Sequence, residues 1–281
     1  MNHDLPKVWL NGEADKKISV FDRGLMYGQS VFETISVFAR KPLLLDAHLK
    51  RLQEGCTALG IPYDAEFLVS EIVIACASLP KQARAVLRIN VTMGEGGRGY
   101  ENPQNPKANR IVSLHEYPDY PSSYWQQGVT IGLVAMRLSE QPLLAGLKHA
   151  NRLEQTLARS QWHDDWQEAL ILNENEKVIE ATQSNVFVVK DGVIKTPNLS
   201  KAGVAGVMRD FILSKVNSLG SKAHITELTM SDIYNADEVF LSNSVIGLWP
   251  VSQCLKQHFS DHSMTRKLQT ICQDYELIPD F

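Results

Sequence analysis

Two prolines near the middle of the chain, Pro118 and Pro121, constrain its fold more than any other feature. Proline lacks a backbone N–H and fixes φ, so residues 117–121 can continue neither a helix nor a central strand. Strand-like and helix-like patterns occur together on both sides of this segment. The sequence therefore predicts an α+β protein of two domains, with residues 117–121 as the linker.

The clearest helix in the first half covers residues 46–59. Apolar residues such as Leu49 and Leu52 recur there at spacings of three and four, as on one face of an amphipathic helix. Asp46 is the predicted N-cap, and Gly60 ends the helix. The other predicted elements of this half are a strand at 8–10 followed by an Asn11-Gly12 turn, a strand at 30–38, a helix at 66–78, and strands at 83–93 and 110–116.

The second half has the patterns of many short strands. Asp191-Gly192, between two of them, is a strong hairpin signal. Helical spacing of apolar residues predicts helices at 150–162 and at about 207–216. The other predicted elements are strands at 129–136, 168–172, 177–181, 185–189, 193–196, 238–241 and 247–251, and a final helix at 264–272.

Composition excludes several classes of protein. Twenty-eight Lys and Arg against 32 Asp and Glu leave a net charge of −4, which gives no electrostatic reason to expect nucleic acid or an anionic membrane as partner. The four cysteines lack the spacing of a zinc site or a disulfide framework. No stretch has the roughly 18 apolar residues of a membrane helix, and the start lacks a signal peptide. We therefore expect a soluble, reduced, cytoplasmic protein without a metal site.

Lys148 is the most informative single residue for chemistry. It lies in AGLKHAN, after an apolar approach and before a predicted helix, with few charges nearby in sequence. A lysine in a partly apolar site loses its proton more easily, and it can then act as an imine-forming nucleophile or as a base. A surface lysine beside a helix is the alternative interpretation, and the residue alone does not decide between them.

Glu180 stands at the end of a β-branched run, in KVIEATQSNVFVV. Strand alternation places Val178 and Glu180 on one face and Ile179 on the other. A carboxylate that faces the interior needs a cationic partner, and the protonated ring nitrogen of a cofactor would be one. The alternative is a solvent-facing residue of an edge strand.

Three further features could bind an anion. The segment 203–206, GVAG, precedes a helix and has no polar side chain, so backbone N–H groups there could hold a phosphate. Arg51 lies outside the apolar stripe of its helix, and Ser244 follows a buried type of strand. Each also has an ordinary interpretation, namely a glycine turn, a solvated arginine and a local cap.

The glycine-rich loop GEGGRGY carries Arg98, whose guanidinium could bind a carboxylate with two parallel donors. An exposed loop arginine is the alternative. His48 and His149 have no partners at metal-ligand spacing and are predicted to be structural, and Tyr27 and Glu33 could simply contribute packing.

Taken together, six motifs resemble the fold-type-IV family of pyridoxal-phosphate enzymes: DRGLMYGQSVFET, HLKRL, GLKHANRLEQ, IEATQSNVF, AGVAGVMRD and FLSNSVIGLWPV. They extend from about residue 22 to residue 251. The family includes branched-chain aminotransferases, D-amino-acid aminotransferases and 4-amino-4-deoxychorismate lyases. The resemblance implies a smaller N-terminal α/β sandwich-like domain, residues 1–118, and a larger C-terminal pseudo-barrel domain, residues 119–281, with the pyridoxal phosphate and the active site between them.

The same resemblance implies roles for individual residues. Lys148 would carry the cofactor covalently and later move protons, and Glu180 would keep the pyridine nitrogen protonated. Arg98 and Tyr100, in the glycine-rich loop, are the expected substrate-binding residues.

The cofactor phosphate would be held by Arg51, by the N–H groups of Val207 and Met208, and by the hydroxyl of Ser244. Aminotransferase relatives often have a threonine where Met208 stands, so one side-chain contact to the phosphate is expected to be missing. The sequence Gly28-Gln29-Ser30 also replaces a common Gly-Asp-Gly.

The segments GEGGRGY, GLKHANRLEQ and RLQEGCTALGI are most similar to the lyases, which make 4-aminobenzoate for folate synthesis. The resemblance therefore implies a homodimeric lyase that converts 4-amino-4-deoxychorismate to 4-aminobenzoate and pyruvate. A branched-chain or D-amino-acid aminotransferase on the same fold is the first alternative, because it needs the same lysine and acid. A non-catalytic binding protein is the second, but it predicts loss of Lys148 or Glu180, and both are present.

Overall fold

The computed structural model describes residues 6–14, 17–279 and 281, and the chain divides into two units. The first unit ends at Pro118, at the predicted linker, but it also contains the segment Leu147–Asn151. The rest of the chain after Pro118 forms the second unit. Both units combine helices and strands, which confirms the predicted α+β class.

The first unit is built on one antiparallel sheet. Its strands are Lys7–Leu10 (β1), Ser30–Phe38 (β2), Lys41–Pro42 (β3), Arg84–Thr92 (β4) and Asn109–Glu116 (β5), and its helices are Arg23–Tyr27 (α1), Leu45–Ala58 (α2) and Ala65–Ala77 (α3). The strands lie in the order β1-β5-β4-β2-β3.

Helix α2 packs closely on strand β2. Leu52 and Cys56 of the helix share a buried core with Val31 and Ile35 of the strand. Gly55 allows the close approach, because a Cβ atom there would lie only 2.8 Å from Cγ1 of Val31. The polar residues of the preceding helical turn are thereby brought against the same strand.

The predicted cap of α2 is wrong. The helix begins at Leu45, its N-cap is Leu44 with φ of 52°, and no side chain caps it. Asp46 lies in the first turn instead, where a carboxylate still interacts favourably with the positive end of the helix dipole.

The second unit is built on a nine-stranded mixed sheet. The order is β11-β10-β9-β12-β13-β6-β7-β8, and β14 pairs with β13. The strands are Val129–Leu138 (β6), Glu168–Asn173 (β7), Val178–Ala181 (β8), Asn185–Lys190 (β9), Val193–Pro197 (β10), Lys222–Thr226 (β11), Glu238–Asn243 (β12), Gly247–Cys254 (β13) and Gln257–His258 (β14). The helices are Ser123–Gln126 (α4), Leu153–Arg159 (α5), Val207–Lys215 (α6), Met230–Tyr234 (α7) and Ser263–Asp274 (α8), with a 3₁₀ turn at Val216–Leu219.

The predicted helix at 150–162 is shorter than its apolar spacing suggests. Ala150 donates its N–H to the carbonyl of Ser30 at 2.8 Å, so it is engaged by strand β2 of the first unit, and α5 begins only at Leu153. None of the helices within the described ranges has the length and apolar composition that a membrane crossing requires.

Candidate active site

Lys148 is held beside strand β2 by backbone pairing. The N–H of Phe32 donates to the carbonyl of Lys148 at 2.9 Å, and Val31 and His149 form an antiparallel bridge. The ammonium Nζ of Lys148 lies 4.6 Å from the centre of the Phe32 ring, which is a cation–π contact. The lysine is half-buried. Its amine therefore lies against an aromatic ring.

A buried charged cluster lies where α2 meets β2. Glu33 accepts hydrogen bonds from Nε and Nη2 of Arg51, at 2.8 and 2.5 Å, and from Nδ1 of His48 at 2.6 Å. Burial alone would raise the pKa of Glu33, but the charge of Arg51 and the bonds from both partners outweigh it and lower that pKa to about 2. Glu33 is therefore ionised at neutral pH.

His48 is neutral in this cluster. Burial lowers its pKa, and the positive charges of Arg51 and Lys148 lower it further, against the raising effect of Glu33. The hydrogen must then be on Nδ1, which donates to the Glu33 carboxylate. The cluster fixes the plane of the Arg51 guanidinium by a two-point contact.

The sequence analysis interpreted Glu33 as a packing residue and His48 as a structural residue. The sequence did contain one indication that His48 and Arg51 act together. They are three residues apart, and this spacing places them on one face of the helix.

Glu180 lies on β8 in the second unit and is buried. Its Oε2 accepts a hydrogen bond from the N–H of Val204 at 2.8 Å, and Nε2 of Gln155 donates to its Oε1 at 3.4 Å. The carboxylate therefore faces the interior, as one of the two interpretations of the sequence predicted.

Val204 is held from two sides. Glu180 accepts from its N–H, and Nδ2 of Asn185 donates to its carbonyl at 2.9 Å. At Gly206 a Cβ atom would lie 1.9 Å from Oδ1 of Asn185, so any side chain there would displace the Asn185 amide. Asn185 was not selected from the sequence, although it holds the residue that contacts Glu180.

Helix α6 begins directly after this glycine. Its N-cap, Gly206, has no side chain that could accept from the N–H groups of the first turn. Those of Val207 and Met208 belong to that turn, which carries the partial positive charge of the helix dipole. The Met208 side chain is buried, with 1% exposed, so this residue can offer an anion only its backbone.

Ser244 lies in the turn between β12 and β13. Oδ1 of Asn243 accepts hydrogen bonds from the N–H groups of Val245 and Ile246 at 2.8 and 2.9 Å, and this shapes the turn. Ser244 is half-buried at its start.

Arg98 and Tyr100 lie in an exposed loop of the first unit, and 89% of Tyr100 is exposed. The buried side chain of Arg23 contacts the backbone of this loop. Its Nη1 donates to the carbonyls of Gly96 and Gly99 at 3.2 and 3.0 Å. Arg23 was not selected from the sequence.

Gln29 extends this support. Its Oε1 accepts from Nε of Arg23 at 2.6 Å, and its Nε2 donates to Oδ1 of Asn102 at 2.9 Å. Gln29, one of two residues at which the sequence differs from Gly-Asp-Gly, therefore joins α1 to the far end of the loop.

The chain belongs to the amino-transferase class IV family, whose model matches residues 30–254. This confirms the family resemblance found in the sequence. The aminodeoxychorismate lyase of Vibrio harveyi is 35% identical over 93% of this chain and 97% of its own length.

Two solved structures are also similar. The 4-amino-4-deoxychorismate lyase from Pseudomonas aeruginosa is 44% identical, covers 95% of this chain and 98% of its own, and has a TM-score of 0.91. The T.th. branched-chain amino acid aminotransferase, complexed with N-(5'-phosphopyridoxyl)-L-glutamate, is 26% identical, covers 95% and 93%, and has a TM-score of 0.81.

Proposed function

We propose that this protein is a pyridoxal-phosphate-dependent lyase that converts 4-amino-4-deoxychorismate to 4-aminobenzoate and pyruvate in folate biosynthesis. The observation that carries the proposal is the similarity to two lyases over nearly the whole chain, at 44% identity for the Pseudomonas aeruginosa enzyme and 35% for the Vibrio harveyi enzyme. The similarity to the T.th. aminotransferase is lower.

The donor set of the site fits pyridoxal phosphate. An amine, Lys148, suits the aldehyde, and a buried carboxylate, Glu180, suits the pyridine nitrogen. Arg51 and the uncapped first turn of α6 suit the phosphate, with Ser244 as a hydroxyl donor. When bound, the cofactor supplies an electron-accepting ring that stabilises negative charge on the substrate carbon next to the nitrogen.

Each residue then has one task. Lys148 would hold the cofactor covalently, and its free amine would take the proton from ring carbon 4 of the substrate. Glu180 holds a proton at the pyridine nitrogen, and the Val204 N–H keeps its carboxylate in place.

The phosphate would be held by Arg51, by the N–H groups of Val207 and Met208, and by Ser244. Because Glu33 fixes the Arg51 guanidinium, this donor is oriented before the cofactor arrives.

Loss of the proton to Lys148 allows the C–O bond of the neighbouring enolpyruvyl ether to break, and the bonding electrons leave with oxygen. The six-membered ring becomes aromatic, and the departing enolpyruvate gains a proton to become pyruvate. The amine of Lys148 would then displace the amino group of the product, which releases 4-aminobenzoate. We assign Arg98 and Tyr100 to substrate binding, with Arg98 as carboxylate donor, because both lie in the loop that Arg23 supports.

A product assay tests the proposal. Purified protein with bound pyridoxal phosphate is mixed with 4-amino-4-deoxychorismate, and 4-aminobenzoate and pyruvate are measured together. Equal amounts of both, without a 2-keto acid, support the lyase. If neither product forms, and a branched-chain or D-amino acid instead converts the bound cofactor to its amine form until a 2-keto acid reverses it, the protein is an aminotransferase.

We also propose that the protein is a cytoplasmic homodimer. Four apolar side chains close together in sequence in the first unit are exposed, from 51% for Met26 to 68% for Val20, and the others are Phe21 and Leu25. A second copy would bury them. Sedimentation of the wild type and of Phe21→Asp tests this, and a monomeric wild type would contradict it.

A further inference from the structure

Glu168 is a buried carboxylate outside the set of residues assigned above. It lies on β7 with 2% exposed, and none of the described residues forms a salt bridge with it. Its Oε1 accepts from the N–H of Gln183 and from Oγ of Ser184, both at 3.0 Å, and its Oε2 accepts from the N–H of Ala169 at 3.2 Å. A buried acid without a cation is costly, and these three hydrogen bonds offset part of that cost.

The first connection from Glu168 leads to the clamp on Val204. Gln183 and Ser184 lie in the turn 182–184 between β8 and β9. Glu180 lies two residues before this turn, and Asn185 directly follows it. These two residues hold the N–H and the carbonyl of Val204, just before helix α6.

The second connection leads to the turn that contains Ser244. Oγ of Ser184 donates to Glu168 and accepts from Nδ2 of Asn243 at 3.1 Å, and the same Nδ2 donates to the carbonyl of Gln183 at 3.2 Å. Asn243 in turn shapes the residues after Ser244 through its Oδ1. One carboxylate is thus linked to both loops of the second unit that are assigned to the cofactor.

We propose that Glu168 is a positioning residue that acts through Ser184 to hold both loops in the geometry that binds pyridoxal phosphate. This inference rests on the proposed function. It assigns to Glu168 no contact with cofactor or substrate.

Three substitutions separate the steps of the argument. Glu168→Leu removes the acceptors at similar volume, and Ser184→Ala removes the hydroxyl that joins Glu168 to Asn243 while leaving Glu168 in place. Glu168→Gln is the conservative variant, since its oxygen can still accept from Gln183 and Ser184. Burial raises the pKa of Glu168 to about 7, despite the bonds from Ser184 and the backbone, so the neutral glutamine resembles a form that the wild type itself adopts.

Glu238 provides a matched control in the same unit. It is also a buried glutamate, but it accepts from the N–H groups of Met264 and Thr265 at the start of α8, at 2.7 and 2.9 Å. Glu238→Gln should lower the melting temperature and leave cofactor binding unchanged.

The experiment measures the dissociation constant of pyridoxal phosphate and the visible absorbance of the bound cofactor for each full-length variant, together with its melting temperature. Glu168→Leu and Ser184→Ala should weaken binding about tenfold or more, as expected for the loss of a buried hydrogen bond, and should shift the absorbance band. Glu168→Gln should stay within about threefold of the wild type.

Wild-type affinity and absorbance in Ser184→Ala would overturn the inference, and this variant decides the matter even if Glu168→Leu does not fold. If Ser184→Ala behaves in this way while the wild type binds the cofactor and forms both products, only the inference about Glu168 is wrong. If the wild type binds no pyridoxal phosphate, the proposed function and the inference fall together.

Discussion

The carboxylate of Glu33 holds the guanidinium of Arg51 by two hydrogen bonds, of 2.8 and 2.5 Å, in a place where 1% of the Glu33 side chain and 11% of the Arg51 side chain are exposed. A buried pair of this kind contributes little net stability compared with apolar residues, but breaking it leaves an uncompensated charge. We therefore regard it as a device for orientation, which sets the direction of the arginine assigned to the cofactor phosphate.

Replacing Glu33 with Gln tests this orientation. The change leaves Arg51 buried beside a neutral amide, and we expect the free energy of unfolding to fall by about 3 kcal/mol. The affinity for pyridoxal phosphate should fall about tenfold or more, because the guanidinium loses its two-point contact. Chemical denaturation and a cofactor titration measure the two effects. An unchanged affinity at reduced stability would show that the pair is only structural.

The stability of the wild type should depend on Glu33 at acid pH. The pKa of Glu33 is about 2 in the folded protein and 4.5 ordinarily, so between these values the unfolded chain binds more protons. The contribution of Glu33 is therefore complete above pH 4.5 and is lost as the pH falls towards 2, with a size of about 3 kcal/mol. Denaturation of the wild type and of Glu33→Gln from pH 5 to pH 2.5 checks this. Parallel curves for the two proteins would contradict it.

Gly206→Ala should disturb the clamp on Val204. The backbone there has φ of −71° and ψ of 133°, which alanine tolerates, so the effect comes from the contact of 1.9 Å with Oδ1 of Asn185. We expect cofactor affinity to fall about tenfold. If the clash is the cause, Asn185→Ala and Gly206→Ala should not be additive in the double variant. Additive losses would point to a different effect of the methyl group.

Arg23→Ala should act on the substrate rather than on the cofactor. Arg23 holds the carbonyls of Gly96 and Gly99, so its loss frees the loop that carries Arg98. We expect KM for 4-amino-4-deoxychorismate to rise about tenfold while pyridoxal phosphate binds as before. Steady-state kinetics and a cofactor titration on the same preparation measure both. A loss of cofactor affinity with an unchanged KM would remove Arg23 from the substrate loop.

Local pattern was sufficient for much of the fold. The strand at 30–38 has the predicted limits because a run of β-branched and aromatic residues has few alternatives. The five-residue helices α1 and α7 were not predicted, since they contain too few turns to show a period. The helix at 150–162 was predicted too long, because the pairing of Ala150 with Ser30 is a long-range contact that overrides local spacing.

The candidate site shows the same division. Lys148 and Glu180 could be selected because their motifs resemble a known family. The residues that orient the site could not be selected from the sequence. The contact of Glu33 with Arg51, for example, depends on how α2 packs on β2. The links from Glu168 through Ser184 to Asn243 likewise join three separate strands or turns. Such contacts are set by tertiary structure, which no local spacing reports.

The most direct test of the account is to find the lysine that carries the cofactor. The protein is loaded with pyridoxal phosphate, sodium borohydride makes the bond to the lysine permanent, and mass spectrometry of the peptides locates the added phosphopyridoxyl group. We predict that the phosphopyridoxyl group lies on Lys148. In Lys148→Ala no other lysine should be labelled specifically, and this variant should form neither 4-aminobenzoate nor pyruvate. Labelling of a different lysine in the wild type, or full turnover by Lys148→Ala, would contradict the account.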